Sequence, residues 1–362
     1  MNFSSFQMPA ADAPGLAILP KGAGSHAEPD AARSFPASFP PACAPSQTQH
    51  WGLSLVPGQQ LMAAGSQGPL WRVACAAERK FAGSVEDMRR EEGLLFGNAW
   101  LSHLKHGKPI HDHCQSRVRL RLLLSSDGTK SWAFGTQGGV SPLSTGLDTS
   151  YAWFGLIKRK ELPDRSGIKA DGAESSRQLS IAAPETDWPQ LEKALALMNA
   201  FGTLGSRSRG GWGSLHIDGA AHLSASEMKF YARPLSECLK ADWAMSLALA
   251  GGRLCVWHSK ESFKTWSEAM TLVATERRHV RTTLGKDLRI ALGFAESGRM
   301  PSPLRWKMVK RPEGRLQIRI AAMPHAIAAD AKKQLSDVQL QSAWKTVIAT
   351  LDGNKHFKRM EG

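Results

Sequence analysis

The sequence is short of cysteine and of long apolar runs. Its five cysteines are scattered singly along 362 residues, with no Cys-x-x-Cys pair, which argues against a disulfide framework and a four-thiolate zinc site. No apolar run approaches the ~20 residues that a membrane span requires, and the first residues lack the basic and apolar regions of a secretory signal. We therefore predict a cytoplasmic protein that does not contact a membrane and keeps its cysteines reduced.

Acidic residues are also scarce relative to basic ones. The chain has 46 Lys and Arg against 32 Asp and Glu, a formal net charge of +14 with neutral histidines. Such an excess attracts polyanions through counterion release, and RNA or DNA is the commonest intracellular polyanion. A generically basic surface without a nucleic-acid partner has the same charge balance. Whether this protein binds nucleic acid must therefore be judged from its sequence motifs.

Catalytic motifs are missing too, since the chain has neither a Gly-x-Ser-x-Gly elbow nor a His-Glu-x-x-His zinc motif. The segment HLKHGKPIHDHC contains His103, His106, His111 and His113, with Cys114 adjacent. Imidazole binds zinc or acts as a general base, but this spacing matches no standard zinc pattern. Gly107-Lys108-Pro109 predicts a loop. We interpret the segment as a solvated polar loop without a metal, in which one or two histidines are free to touch RNA or another subunit.

The composition and periodicity divide the chain into a tail and two domains. Residues 1–48 hold 8 of the 20 prolines, which predicts an extended tail because proline restricts φ and removes backbone donors. Apolar periodicity then predicts elements in the order β, α, β, β, α, β, over residues 51–56, 69–81, 117–124, 178–182, 186–202 and 212–217. This order, with a long insertion between the central strands, is typical of a ferredoxin-like (RRM-like, βαββαβ) domain, which we place at residues 51–220.

The remainder of the chain shows a similar order of strands and helices, but less clearly. The patterns predict a strand over residues 253–257, a helix over 261–277, a hairpin over 304–321 and a closing helix over 331–351. We infer a second, divergent ferredoxin-like domain over residues 225–362, and an α+β fold class for the whole protein. Residues 277–319 contain 12 Lys or Arg against 3 acidic residues, which favours a second RNA or partner surface, with Trp306 and Phe294 available to stack on bases.

A glycine-rich segment, GTLGSRSRGGWGS, occupies residues 202–214. Glycines let the main chain adopt positive φ and approach a ligand closely, so that amide groups face phosphate oxygens while Arg207 and Arg209 supply charge. The segment lacks the Gly-Lys-Ser/Thr ending of a nucleotide P-loop, and it follows a helix where a Rossmann loop precedes one. We predict a loop that binds a chain of phosphates. A flexible turn with solvated arginines is the alternative.

The helix that ends in AFG, followed by TLGSRSRGGWGSL, resembles the glycine-rich loop of the RAMP superfamily of CRISPR proteins, in particular the first subunit of the Cmr (type III-B) effector complex. Further blocks are similar to the same family in the same order, over about residues 55–320. They include EEGLLFG at residues 91–97, YAWFGL at 151–156 and MPSPLRW at 300–306. The glycine-rich loop and its helix are the specific part of the resemblance.

The resemblance implies a non-catalytic RNA-binding subunit that caps a ribonucleoprotein complex near the 3′ region of its guide RNA. It implies guide RNA, target RNA and other RAMP subunits as partners, and no cofactor. The predicted RNA-binding residues are Gly202, Gly205, Ser206, Arg207, Ser208, Arg209, Gly210, Gly211, Trp212, Arg72 and Arg117. Two alternatives remain: a metal-independent guide-processing endoribonuclease with a histidine of residues 103–113 as its base, and a general basic RNA or DNA adaptor.

Overall fold

The structure is a computed structural model that describes residues 46–55, 60–62, 70–81, 85–105, 108–123, 131–132, 152, 167–169, 177–204, 208–294, 300–329 and 331–361. These residues form a mixed α/β protein with two four-stranded sheets and three smaller ones. Residues 1–45 of the predicted tail lie outside the described residues, as does most of the predicted insertion. No helix among the described residues is long and apolar enough to cross a membrane.

The N-terminal half contains the first four-stranded sheet. Its elements are β1 (Ser46–Leu55), β2 (Gln60–Met62), α1 (Leu70–Glu78), α2 (Val85–Phe96), β3 (Asn98–Lys105), β4 (Lys108–Cys114), β5 (Arg119–Leu123), β6 (Ser131–Trp132), β7 (Gly167–Lys169), β8 (Arg177–Pro184), α3 (Trp188–Phe201) and β9 (Leu215–Asp218). Four strands pair antiparallel in the order β5, β8, β1, β9. Helix α1 follows the first of these strands in the chain, and α3 follows the third.

The C-terminal half contains the second four-stranded sheet. Its elements are α4 (Ala225–Phe230), β10 (Ala232–Pro234), α5 (Leu235–Cys238), β11 (Leu247–Ala250), β12 (Arg253–Leu254), β13 (Val256–Ser259), α6 (Trp266–Thr283), β14 (Leu304–Lys310), β15 (Leu316–Ala322), α7 (Asp337–Asp352) and β16 (Phe357–Arg359). Its strands pair antiparallel in the order β14, β15, β13, β16. The two sheets therefore share one connectivity, and α6 and α7 occupy the chain positions of α1 and α3.

Helix α3 leads directly to the glycine-rich loop, and its sequence accounts for both of its ends. Proline lies in its first turn, where the missing amide donor costs nothing, and Asp187 is the N-cap residue. Leu191 and Leu195 are buried on one face, as their spacing predicts. The helix ends at Gly202, which leaves the helical conformation with φ −74° and ψ 142°. The predicted boundaries of this helix are confirmed.

The histidine-rich segment differs from its prediction. Residues 98–105 and 108–114 pair as the antiparallel hairpin β3–β4, with Ser102 opposite His111 and His103 opposite Ile110. His113 and Cys114 lie at the end of the second strand, whereas His106 and Gly107 lie outside the described residues. Pro109 is tolerated because a two-stranded hairpin consists of edge strands, where a missing amide donor can face away from the ladder. The segment is therefore a hairpin and not a loop.

The start of the first sheet also differs from its prediction. Strand β1 begins at Ser46, five residues before the predicted start at Trp51, and its first residues pair with the end of β8. Backbone hydrogen bonds to an existing strand extend β1 through polar residues that show no hydrophobic alternation. Residues 46–48, the last three of the predicted tail, therefore belong to β1.

The two halves share part of their hydrophobic core. One buried cluster lies around α6, α7 and the second sheet and includes Trp212, Trp257 and Trp306. Another joins α1 and α3, through Val73 and Leu197, to buried residues of the second half. This shared core brings the C-terminal end of α3 against β14 and β15.

Candidate nucleic-acid interface

The glycine-rich loop begins and ends as a narrow antiparallel ladder. Thr203 pairs with Ser214, and the amide of Leu204 donates to the carbonyl of Gly213 at 2.7 Å. Gly205, Ser206 and Arg207 lie outside the described residues. The predicted phosphate contacts of these three residues therefore stay predictions, whereas residues 208–214 are placed.

Residues 208–214 are attached to strand β14. The amide of Trp306 donates to the carbonyl of Arg209 at 3.1 Å. The hydroxyl of Ser214, which is fully buried, donates to the carbonyl of Gly211 at 2.8 Å and accepts from the amide of Met308 at 2.9 Å. This part of the loop is therefore an internal seam between the two halves of the protein.

Packing explains the glycines of this seam. A Cβ atom at Gly210 would lie 2.1 Å from the guanidinium of Arg277, so the absence of a side chain leaves room for that arginine. Gly211 has a φ of +93°, and its open side faces the side chains of Met308 and Met270. The amides of Gly210 and Gly211 were predicted to face phosphate, but the structure places both glycines in the interior. Ser208 beside them is half-buried.

Trp212 is a core residue in this structure and not an RNA contact. Its side chain is fully buried, and its ring centroid lies 4.9 Å from that of Trp266 at an angle of 59°. Trp306, which the sequence offered as a base-stacking residue, is 1% exposed and packs edge-on against Phe357. Both predictions are corrected because these rings face the core side of the second sheet.

Arg209 connects the loop to the segment before β14. Its side chain is half-buried, and its guanidinium donates to the carbonyl of Ser302 at 2.8 Å. Burial lowers its pKa to about 10. Arg209 therefore has a structural contact in addition to any ligand that it binds.

Arg72 and Arg117 do not join the loop. Arg72 on α1 forms an ion pair with Glu92 of α2 and lies over the ring of Trp243. Arg117 forms an ion pair with Asp187 at 2.7 Å, at the N-terminal end of α3. The loop follows the other end of this 14-residue helix, about 20 Å away at 1.5 Å per residue. Both arginines are thus partly neutralised, and Arg117 lies at a distance from the loop.

The C-terminal end of α3 is capped by cations from the second sheet. The ammonium of Lys307 donates to the carbonyls of Met198 and Asn199 at 3.0 and 2.7 Å. Arg319, opposite Lys307 on the neighbouring strand, donates to the carbonyl of Ala200 at 3.4 Å. Cations are favourable there because the last carbonyls of a helix carry its negative dipole end.

Together with Arg305, these residues form a cluster of four basic side chains, which we call the junction cluster: Arg209, Arg305, Lys307 and Arg319. No carboxylate among the residues that the structure describes forms an ion pair with any of them. Burial lowers the pKa of Arg305 to about 9 and that of Arg319 to about 10, and it holds the pKa of Lys307 well below 10.5. The cluster therefore concentrates positive charge where the protein itself provides little neutralisation.

We expect the buried Lys307 to make the free energy of unfolding depend on pH. The unfolded chain keeps this lysine protonated up to about pH 10.4, whereas the folded protein releases the proton at lower pH. Between the two pKa values the unfolded state binds more protons, so stability rises with pH, by at most about 1.4 kcal/mol per unit. Urea unfolding between pH 7 and pH 10 measures this slope.

Lys307→Met removes the titrating group, so the slope of the variant is expected to be smaller. Lys310→Met is the matched control because it removes an exposed lysine from the same strand, and it keeps the wild-type slope. Identical slopes in all three proteins would contradict the burial of a charged Lys307.

The sequence analysis did not identify Arg305, Lys307 or Arg319 as site residues. All three lie in the basic stretch of residues 277–319, which was interpreted as an exposed surface. The sequence RWKMVK does predict a strand with Arg305 and Lys307 on one face, because these cations alternate with apolar residues at the period of a strand. That pattern normally places the charged face in water. Here α3 covers part of this face, a tertiary effect that periodicity does not reveal.

Among the residues that the structure describes, no group of three or more His, Cys, Asp or Glu is placed to hold a metal ion. A cavity of about 630 Å³ lies elsewhere, between α6 and the turn after α7. Its lining includes Arg278, His279, Lys355 and His356. It is a second basic surface, separate from the loop.

The fold is similar to that of one solved protein, Cmr1. The crystal structure of apo Cmr1 from Pyrococcus furiosus matches with 14% sequence identity and a TM-score of 0.50, over 87% of this chain and 99% of that chain. A cryo-EM structure of the type III-B Cmr-β bound to cognate target RNA matches with 11% identity and a TM-score of 0.38, over 82% and 99%. No family model and no curated protein matches the sequence. The chain thus has a Cmr1-like fold, as the resemblance of its glycine-rich loop implied.

Proposed function

We propose that this protein is a non-catalytic RNA-binding subunit of a type III-B, Cmr-like ribonucleoprotein complex of the cytoplasm. In that complex it caps one end and contacts the 3′ region of the guide RNA and the target RNA. The observation that carries the proposal is the junction cluster, a concentration of positive charge beside a glycine-rich loop in a chain with the fold of Cmr1. Guide pairing supplies the sequence specificity in such systems, and the protein binds the RNA backbone.

The proposal includes the domain organisation. In both halves the four strands have the order second, third, first, fourth and are antiparallel, with helices after the first and third strands. This connectivity supports two ferredoxin-like domains of the RAMP type. The interface between them carries the loop and the junction cluster, so RNA bound there contacts both domains.

Purification from cells that express the neighbouring genes tests the proposed function. We expect a short guide RNA of defined length and other RAMP subunits to copurify with the protein. A mixture of nucleic acids without defined length, and no partner subunits, would contradict the proposal and favour the general basic adaptor.

Arg207 offers a more local prediction, since it belongs to the part of the loop that the sequence assigns to RNA. Arg207→Ala is expected to weaken RNA binding and to reduce the slope of log affinity against log salt by about one, because one phosphate contact is lost. Filter binding of guide RNA over a salt series measures both quantities. Arg253→Ala removes an exposed arginine between β11 and β13 and serves as the control. Equal slopes in both variants would contradict a phosphate contact by Arg207.

The non-catalytic part of the proposal has its own test. In this test the purified protein is incubated with repeat RNA in the absence of metal ions, and the ends of any products are analysed. We expect intact RNA. A product with a 2′,3′-cyclic phosphate, lost in His103→Ala or His111→Ala of the β3–β4 hairpin, would favour the processing endoribonuclease instead.

A further inference from the structure

Arg305 is the least satisfied member of the junction cluster. It lies near the start of β14, its residue is 7% exposed, and its Nε and Nη2 atoms are buried without a hydrogen-bond partner in the described structure. Lys307 and Arg209, by contrast, donate to carbonyl oxygens. Burial of a guanidinium without a hydrogen-bond partner is unfavourable because the charge loses its hydration. A group that supplies hydrogen-bond acceptors to Arg305 would therefore be bound favourably.

The two unpartnered atoms of Arg305 define which group fits. Nε and Nη2 lie on the same edge of the guanidinium and donate in parallel, which is the geometry of a bidentate contact with two oxygens of one anion. Arg209 is close enough to lower the pKa of Arg305 by charge repulsion. An anion at this point therefore meets two guanidinium groups. A phosphate group, whose single negative charge is shared by two free oxygens, satisfies both.

Arg209 lies nearer the surface of the protein than Arg305. Arg209 is half-buried, whereas Arg305 is almost completely buried, so the pair extends from the surface into the interior. His325 lies near Arg209 as well, and burial lowers its pKa, which disfavours its charged form, so the positive charge of the site comes from the two arginines. Among the described residues no carboxylate is paired with either arginine.

We infer that Arg305 and Arg209 bind one phosphate group of an RNA backbone at the seam between the glycine-rich loop and β14. The inference rests on the proposed function for the source of the phosphate, and on the unpartnered donors of Arg305 for the site itself. The predicted phosphate contacts of the glycine-rich loop are thereby joined by a second, buried contact, that of Arg305 on β14 of the second proposed domain.

Thermal melting with inorganic phosphate as the probe tests the site without RNA. The melting temperature of the wild-type full chain is expected to rise with phosphate concentration, relative to sodium chloride of equal ionic strength, because a ligand that binds only the folded state stabilises it. Arg305→Met keeps the length of the side chain and removes the charge. We expect this variant to lose the phosphate-dependent shift while its melting temperature in chloride is unchanged or higher, since the desolvation cost disappears.

Two control variants separate the site from general electrostatics. Arg253→Met, at an exposed position, is expected to keep the full phosphate response, and Arg305→Lys, which keeps the charge but not the paired donors, is expected to lose most of it. The absence of a phosphate response in the wild type, or the same response in Arg305→Met, would overturn the site. A fall of the melting temperature in chloride with Arg305→Met would likewise contradict an unsatisfied guanidinium.

Guide RNA affinity then identifies the source of the phosphate. Arg305→Met is expected to bind RNA about tenfold more weakly at 0.1 M salt, with the salt slope reduced by about one. A lost phosphate response with unchanged RNA affinity would overturn the RNA assignment and leave a site for free phosphate. A wild-type protein that responds to phosphate but binds no guide RNA would contradict the proposed function and not the site.

Discussion

Trp212→Ala is expected to lower the free energy of unfolding by about 3–5 kcal/mol, the range observed when a buried tryptophan or phenylalanine is truncated. The ring is fully buried in the largest hydrophobic cluster and contacts Trp266. Its removal leaves a cavity at the seam between the halves, where backbone contacts to β14 prevent collapse. Urea unfolding followed by circular dichroism measures the loss.

Trp212→Phe separates packing from RNA stacking. Phenylalanine fills most of the cavity, so the variant is expected to lose clearly less stability than the alanine variant, and its RNA affinity is expected to be that of the wild type. A Trp212→Ala protein of nearly normal stability with strongly weakened RNA binding would contradict the core position and favour a base-stacking role.

Gly213→Ala is expected to be the second large destabilisation, of about 3 kcal/mol. A Cβ atom there would lie 1.7 Å from the carbonyl oxygen of Leu204, and the backbone has a φ of +65°. The clash involves the main chain of the paired strand, which cannot rotate away as a side chain can. Strain of the left-handed conformation adds about 1 kcal/mol to the steric cost.

Gly251→Ala is the matched control for this prediction. Gly251 has a similar φ of +58°, but nothing lies within 4 Å of the position of its Cβ atom. Its alanine variant therefore reports the conformational strain alone, about 1 kcal/mol. Equal losses in the two variants would show that the close approach of Gly213 to Leu204 is absent in solution.

The sequence predicted well those helices and strands that are determined by residues within the element itself. Helix α3 has a proline in its first turn, a regular apolar face and a terminal glycine, and the β14–β15 hairpin alternates clearly around a turn with Gly314. These features depend on backbone preferences and on the spacing of apolar residues, which the sequence contains directly.

The elements that were missed depend on partners elsewhere in the chain. Strand β16 has three residues and exists because it pairs with β13. The β3–β4 hairpin contains Pro109 and several polar residues, which locally favour a loop. In both cases a neighbouring strand supplies hydrogen bonds that local propensity does not contain.

The candidate site shows the same division. The sequence identified the glycine-rich loop and assigned Gly210 and Gly211 to phosphate, whereas the structure shows that these two glycines make room for Arg277 and two methionines. Gly213, which the sequence did not assign, makes room for the backbone of Leu204. The sequence shows only that a glycine is present. It does not show whether the space left by the absent side chain is occupied by a ligand or by another part of the protein. The sequence analysis did not identify Arg305 as a buried site residue, since a charged residue in a strand is normally exposed.

The capping of α3 by Lys307 and Arg319 has a consequence for how the chain folds. A fragment that ends at residue 220 would leave the carbonyls of Met198 and Asn199 without the ammonium that binds them, and would expose Val73 and Leu197 to water. We therefore expect that the N-terminal half does not fold on its own. Because the halves share this core, we expect the protein to unfold in one cooperative transition, and truncation is unsuited to assigning RNA contacts to one half.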